Sequence, residues 1–148
     1  MSEVILDRLA GALLDVAKRR MKDAGRFYPF GAAVNKNGEV VAVNYNPPGE
    51  SRAVQEFIDH VQSRLAAGAK GGEFVAAGLC LLGRAHVPPD RRVSEAVCLQ
   101  LHAPGESVNL YLPYERKGEK VEYGEMFRTA GRGNWFDSVS SPDTPGEG

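Results

Sequence analysis

The dipeptide Asn37-Gly38 constrains the fold more than any other feature, because it joins two apolar segments of similar length. Asn-Gly favours a two-residue β-hairpin loop, since a type I′ turn needs positive φ at both central residues. The sequence therefore predicts a hairpin over residues 30–45 with this dipeptide as its loop. In that register Lys36 faces Glu39, an opposite-charge pair across the two strands.

Two segments carry apolar residues at helical spacing, one on each side of the hairpin. Residues 3–24 and residues 51–67 both repeat apolar side chains at i, i+3, i+4 and i+7, which predicts two amphipathic helices. A glycine stands where each pattern stops, Gly25 in the first case and Gly68 in the second. Glycine favours the end of a helix, so these residues are the predicted stops.

Three further strands are predicted after the second helix. Residues 74–82 are almost continuously apolar, which is typical of a central strand buried on both faces. Residues 93–101 and 108–112 alternate between apolar and other side chains, as half-buried strands do. Residues 120–123 are a candidate short strand at the edge of the sheet.

The order helix, hairpin, helix and three strands predicts one α+β domain over residues 1–130. We expect a mainly antiparallel, five-stranded sheet with two helices on one face. The chain has 148 residues, which fits a single domain. Residues 131–148 are rich in Gly, Ser, Pro and Asp and are predicted to form a flexible C-terminal tail. The order of elements resembles profilin-like and roadblock-like folds, a likeness of topology that says little about function.

Charge and hydropathy exclude several classes of partner. The net charge is −1, so no overall field attracts nucleic acid or an anionic membrane, and neither is a predicted partner. No apolar run reaches the roughly 18 residues of a membrane-spanning helix. Asp7 and Arg8 interrupt the first apolar residues, which argues against a signal peptide. The expected location is the cytoplasm.

The first hairpin carries a resemblance to a known family. Residues 28–34 read Tyr-Pro-Phe-Gly-Ala-Ala-Val, and residues 37–42 read Asn-Gly-Glu-Val-Val-Ala. This pattern resembles the first hairpin of the cytidine deaminase family, in which Pro-Phe-Gly-Ala opens the hairpin and an Asn, here Asn44 or Asn46, closes it. The resemblance implies a zinc ion held by a His or Cys and two Cys, beside a Glu that moves protons.

The residues that would hold this zinc are missing from the sequence. Residues 51–56 read Ser-Arg-Ala-Val-Gln-Glu and contain no His-Ala-Glu or Cys-Ala-Glu triplet. The two cysteines, Cys80 and Cys98, form no Cys-x-x-Cys pair and lie in apolar runs, where a thiol behaves as a small hydrophobe. We therefore expect no zinc deaminase activity, and the sequence predicts no metal or other cofactor.

Other catalytic patterns are equally absent from the sequence. Glu56 and His60 lie one helical turn apart, but two ligands do not make a metal site. The sequence contains no Gly-x-Ser-x-Gly elbow and no Gly-x-x-x-x-Gly-Lys phosphate loop. No catalytic residue is predicted.

Two segments contain candidate binding residues. Tyr114, Arg116 and Lys117 follow an apolar strand, and together they suit an acidic partner or a phosphate, unless they form a solvated turn. Trp135 precedes a second aromatic residue in the polar C-terminal segment. Such an aromatic anchors either onto a partner or onto its own domain.

A complete core without a catalytic set favours a small, non-enzymatic protein-binding domain, such as an adaptor, an accessory subunit or an immunity-type protein. The alternative is a small-ligand binder or an enzyme whose site is dispersed along the chain. Self-association is a third interpretation, through an exposed edge of the strand at 107–113, unless residues 120–123 cover that edge.

Overall fold

The computed structural model describes residues 2–49 and 53–136, which form two helices and a seven-stranded antiparallel sheet. In chain order the elements are α1 (Ser2–Ala24), β1 (Phe30–Asn35), β2 (Val40–Val43), α2 (Val54–Lys70), β3 (Phe74–Val87), β4 (Arg92–Ala103), β5 (Glu106–Lys117), β6 (Lys120–Tyr123) and β7 (Phe127–Ala130). The strand order is β2-β1-β3-β4-β5-β6, and β7 also pairs with β5. The α+β class and the antiparallel sheet are thus confirmed.

The predicted number of five strands is wrong, because two short strands complete the far side of the sheet. β6 pairs with residues 114–117 of β5, and β7 pairs with residues 108–111. The sequence of β7, Phe-Arg-Thr-Ala, is too short and too polar to carry a strand pattern. Its pairing covers most of the β5 edge that was expected to be exposed at 107–113.

The two helices pack on opposite faces of the sheet, so the prediction that both cover one face is wrong. A Cβ at Gly78 of β3 would lie 2.8 Å from Leu13 of α1. A Cβ at Gly31 of β1 would lie 2.8 Å from Val61 of α2. Helical periodicity gives each helix an apolar stripe, but it contains no information about which face of a sheet that stripe meets.

β3 is a central strand buried on both faces, as its continuous apolar run predicts. Ala76 and Cys80 belong to the core beneath α1, whereas Ala77 and Leu79 belong to the core beneath α2. The domain therefore has three layers, with the sheet between the two helices. Among the described residues, no helix combines the length and the apolar character needed to cross a membrane.

The first hairpin is present, but its loop is one residue longer than predicted. The Asn35 N–H donates to the Glu39 carbonyl oxygen over 2.9 Å, so the loop is Lys36-Asn37-Gly38. Within this loop Gly38 alone has positive φ, at +83°. A three-residue loop of this kind needs one left-handed residue, and Gly38 provides it. The expected pairing of Lys36 with Glu39 is therefore wrong.

The β3–β4 hairpin extends beyond the part of the sheet that β1 covers. β1 pairs with β3 as far as Phe30 opposite Cys80, while β3 continues to Val87 in register with β4. The predicted strands at 74–82 and 93–101 left a long connection between them, and the structure shortens it to residues 88–91. On the side where β1 ends, residues 81–87 have no neighbouring strand within the described part of the chain.

Candidate functional site

The structure brings together two of the four predicted binding residues. Tyr114 and Arg116 share one face of β5, with the guanidinium 5.4 Å from the ring centroid. Lys117 follows on the opposite face of the strand. Trp135 lies against His102, whose partner on β5 is nine residues before Arg116, or roughly 30 Å away at 3.3 Å per residue. The four residues do not form one continuous surface.

Tyr114 and Arg116 connect three elements of the fold. The buried Tyr114 hydroxyl donates to Glu95 Oε1 of β4 over 3.1 Å. Burial and the Glu95 carboxylate raise the pKa of Tyr114 to about 12, so this hydroxyl stays a donor at neutral pH. Arg116 lies 3.6 Å from Glu95 Oε2 and donates from Nη1 to the Gly25 carbonyl oxygen over 2.8 Å. These two residues therefore hold the end of α1 against the sheet.

Trp135 packs on its own domain at the other end of the sheet. Its ring centroid is 4.0 Å from that of His102, and Asn134 Nδ2 donates to two backbone carbonyl oxygens at the β4–β5 turn. Residues 131–136, the start of the predicted flexible tail, are thus hydrogen-bonded to the sheet. Residues 137–148 lie outside the described part of the chain, and their flexibility stays a prediction.

His102 is held in its neutral form beneath Trp135. Burial lowers the pKa of His102 to about 4. Its Nδ1 lies 2.9 Å from Ser107 Oγ, and the Ser107 hydroxyl donates to the Gly133 carbonyl oxygen over 2.6 Å. Because Ser107 has one hydrogen and uses it there, His102 Nδ1 carries the proton and donates to Ser107. These contacts favour a structural role for His102 in the packing of residues 131–136 on the sheet.

Residues 25–29 form a ridge between α1 and β1, with a hollow on each side. The hollow on the β3 side has a volume of about 560 Å³ and is bounded beyond the ridge by Val54 and Leu82; we call it the β3 hollow. The hollow on the β2 side has a volume of about 530 Å³, and we call it the β2 hollow. Its walls beyond the ridge include Arg20, Asp23, Phe30, Asn44, Asn46 and Phe57. Both volumes fall in the range of about 300–1,000 Å³ that small-ligand sites occupy.

Local chemistry fixes the ridge at three points. Pro29 has no N–H and cannot extend the β1–β3 ladder, so the chain leaves the sheet just before β1. Gly25 ends α1 with φ of +79°, and Arg116 binds its carbonyl oxygen. Between these ends the Tyr28 ring stacks on Phe57 of α2, with centroids 4.7 Å apart. Contacts with the sheet and with α2 therefore hold the ridge in a defined position.

The β3 hollow combines an apolar surface with an open strand edge. Val54 is 50% exposed and Tyr28 is 36% exposed, while Leu82 of β3 is half-buried. Arg26 is exposed on the ridge and makes no ion pair with any described residue. In an antiparallel strand every second residue directs both backbone polar groups to one edge, so residues 81–87 present donors and acceptors here that no described strand pairs with.

The β2 hollow combines aromatic rings with an arginine, Arg20, that has no anionic partner among the described residues. The Arg20 guanidinium lies over the Phe30 ring, 4.5 Å from its centroid. Arg20 is half-buried, and it makes no hydrogen bond or ion pair within the described chain. Its side chain is therefore positioned by packing, and no described residue accepts a hydrogen bond from its N–H donors.

The Glu56–His60 pair is engaged by Tyr45, which also lines the β2 hollow. Tyr45 donates its hydroxyl to Glu56, and this hydrogen bond raises the pKa of Tyr45. The His60 ring stacks on the Tyr45 ring with centroids 4.1 Å apart. Across residues 2–49 and 53–136, no three His, Cys, Asp or Glu side chains converge as a metal site.

The two cysteines are free and lie on opposite faces of the sheet, since Cys80 pairs with Leu99 and Cys98 pairs with Leu81. Burial raises the pKa of the Cys98 thiol to about 11 and also raises that of Cys80. Neither thiol is therefore an activated nucleophile at neutral pH.

Comparisons of the chain with protein-family models, with curated proteins and with solved structures find no match. The deaminase resemblance thus rests on the hairpin alone, whose Phe30, Asn44 and Asn46 line the β2 hollow. Sequence reasoning missed both hollows and the open β3 edge. The available signals were Pro29, which ends the pairing of β1, and the length of β3.

Proposed function

We propose that this chain is a non-enzymatic protein-binding domain that receives an extended peptide of its partner along residues 81–87 of β3. One observation carries the proposal: this strand edge has no neighbour in the described chain, and it borders an apolar hollow of about 560 Å³. Strand addition is a general mode of peptide recognition, in which backbone hydrogen bonds give affinity and side-chain pockets give specificity.

The surroundings of the edge define the peptide. An aliphatic side chain fits the β3 hollow against Val54 and Leu82, and an acidic side chain pairs with Arg26 on the ridge. Seven residues of β3 accommodate a peptide segment of roughly 20 Å. The partner segment is therefore extended, with an aliphatic residue close to an acidic one.

The same edge disfavours pairing with a second copy of the chain. Arg84 is exposed near the middle of residues 81–87, and Pro88 follows directly after them. Two copies aligned antiparallel would bring two arginines together, and charges and prolines are common protections of strand edges. Self-association is the competing outcome, which light scattering across a range of concentrations distinguishes.

The experiment is selection of displayed peptides of about ten residues against the purified protein, followed by NMR mapping with the enriched peptide. We expect enrichment of extended sequences with an aliphatic and an acidic residue, and chemical-shift changes in the amides of residues 81–87. Val54→Glu should weaken binding at least tenfold. Val4→Glu is the matched control, since Val4 is exposed on α1 and should leave affinity unchanged. Failure to enrich any peptide, or shifts confined to another surface, would contradict the proposal.

Two finer expectations belong to the same proposal. The order of elements supports a profilin-like or roadblock-like arrangement, and solving the experimental structure and superposing it on those folds tests this. The cytoplasm remains the proposed location, because a reducing compartment suits two free thiols. Fractionation of the producing cell checks the location.

A further inference from the structure

We infer that the β2 hollow is a second binding site, which takes a small planar molecule bearing an acidic group. This site shares the ridge residues, Arg26 among them, with the β3 hollow, and it does not depend on the proposed peptide binding. It is bounded by residues that the β3 hollow lacks, above all Arg20, Phe30 and Asn44.

Arg20 carries the argument for an acidic group. A guanidinium offers five N–H donors in a planar fork that matches a carboxylate. Within the described chain Arg20 uses none of them in a hydrogen bond or ion pair, although the residue is half-buried. Contact with the Phe30 ring at 4.5 Å holds the guanidinium in place before a ligand arrives. A positioned, partly desolvated cation favours an anion more strongly than one in water does.

The other polar groups of the β2 hollow also favour a ligand with an acidic group. Arg26 contributes a second cation from the ridge, and Asp23 contributes one carboxylate, so the described lining carries a net positive charge. Asn44 and Asn46 are exposed at the end of β2, where their amides suit the polar substituents of a ligand.

The apolar walls select a planar body. Tyr28 and Tyr45 supply the accessible aromatic surface of the β2 hollow, because Phe30 and Phe57 are buried, and aromatic rings bind one another in stacked or edge-to-face arrangements. Tyr28 and Tyr45 already contact Phe57 in these two ways, with centroids 4.7 Å and 5.2 Å apart. The volume of about 530 Å³ accommodates a bicyclic ring with a short acidic arm.

The test is isothermal titration calorimetry with indole-3-acetate and with indole-3-acetamide, which has the same ring and no charge. We expect the acid to bind at least tenfold more tightly than the amide at low ionic strength, and this advantage to shrink at 0.5 M salt. Arg20→Gln should remove the preference for the acid. Equal binding of the two compounds, or no binding of either at millimolar concentration, would overturn the inference.

Two further variants separate this site from the β3 edge and from simple unfolding. Val54→Glu, which blocks the β3 hollow, should bind indole-3-acetate like the unmodified protein. Asn44 is exposed, so Asn44→Ala should leave the melting temperature unchanged. The same variant should bind indole-3-acetate several-fold more weakly. If Asn44→Ala has no effect while Val54→Glu abolishes binding, the ligand occupies the β3 hollow and the inference is wrong.

Discussion

Arg116 Nη1 donates a 2.8 Å hydrogen bond to the carbonyl oxygen of Gly25, which joins two residues 91 positions apart in the sequence. Gly25 is the first residue of the ridge between the two hollows. A residue predicted from sequence to bind a partner therefore positions the segment that lines both candidate sites.

The contribution of this contact is testable with Arg116→Gln. The change removes the charged donor to Gly25 and the ion pair with Glu95, and we expect a loss of about 0.5–1.5 kcal/mol in the free energy of unfolding, measured with urea. Lys117→Gln is the matched control. Its ion pair with Glu115 is exposed, so its removal should cost less than about 0.5 kcal/mol. Equal losses in the two variants would contradict the role of Arg116.

The loop of the first hairpin makes a prediction that separates two turn types. Gly38→Val should destabilise the domain by about 1–2 kcal/mol, because a β-branched residue resists the positive φ found there. Asn37→Ala should change stability by less than about 0.5 kcal/mol, since Asn37 does not have positive φ. A two-residue type I′ loop would instead make both changes costly. Thermal melts of the two variants decide between these loops.

The same substitution in the two helices should have opposite effects. Gly68→Ala places a Cβ within 2.3 Å of the Phe74 ring, and we expect overpacking to cost about 1–3 kcal/mol. Gly11→Ala meets nothing within 4 Å and should stabilise α1 by about 0.5–1 kcal/mol. Chemical denaturation of both variants tests the packing of α2 on β3. A stabilising Gly68→Ala would place α2 elsewhere.

His102 predicts how stability depends on pH. Its folded pKa of about 4 lies below the ordinary value of 6.5, so the unfolded chain binds the proton first as pH falls. The contribution of neutral His102 to the free energy of unfolding is therefore complete above pH 6.5. It is lost as pH falls towards 4, by an amount on the order of 2 kcal/mol. In His102→Gln the drop in unfolding free energy between pH 7 and 4.5 should be smaller. Fluorescence of Trp135, the one tryptophan in the sequence, follows the unfolding of the unmodified protein and of the variant. Identical pH profiles would show that His102 is accessible to protons.

Local signals were sufficient where one strong preference decided the structure. The Asn37-Gly38 dipeptide predicted a hairpin, and the continuous apolar run of β3 predicted a strand buried on both faces. The loop length was missed because Asn35 accepts hydrogen bonds from the N–H groups of Asn37 and Glu39 and so stabilises the longer loop. That competition between side-chain and strand hydrogen bonds is not visible in residue types alone.

The candidate sites depended on contacts between distant parts of the chain. Nothing in the sequence indicated that Tyr114 and Arg116 would meet Glu95 and Gly25. Nor did it indicate that Arg20 would lie over Phe30 with no anionic partner among the described residues. Pro29 was visible, but its effect on the β3 edge required the register of β1 against β3.

The sequence by itself determined the α+β class, the central strand and the first hairpin. These follow from periodicity and turn chemistry, which act over a few residues. Only the tertiary structure decided that α1 and α2 cover opposite faces, that β6 and β7 complete the sheet, and that a ridge separates two hollows. An apolar stripe is satisfied by any apolar surface, so the choice of surface is made only when the whole chain packs.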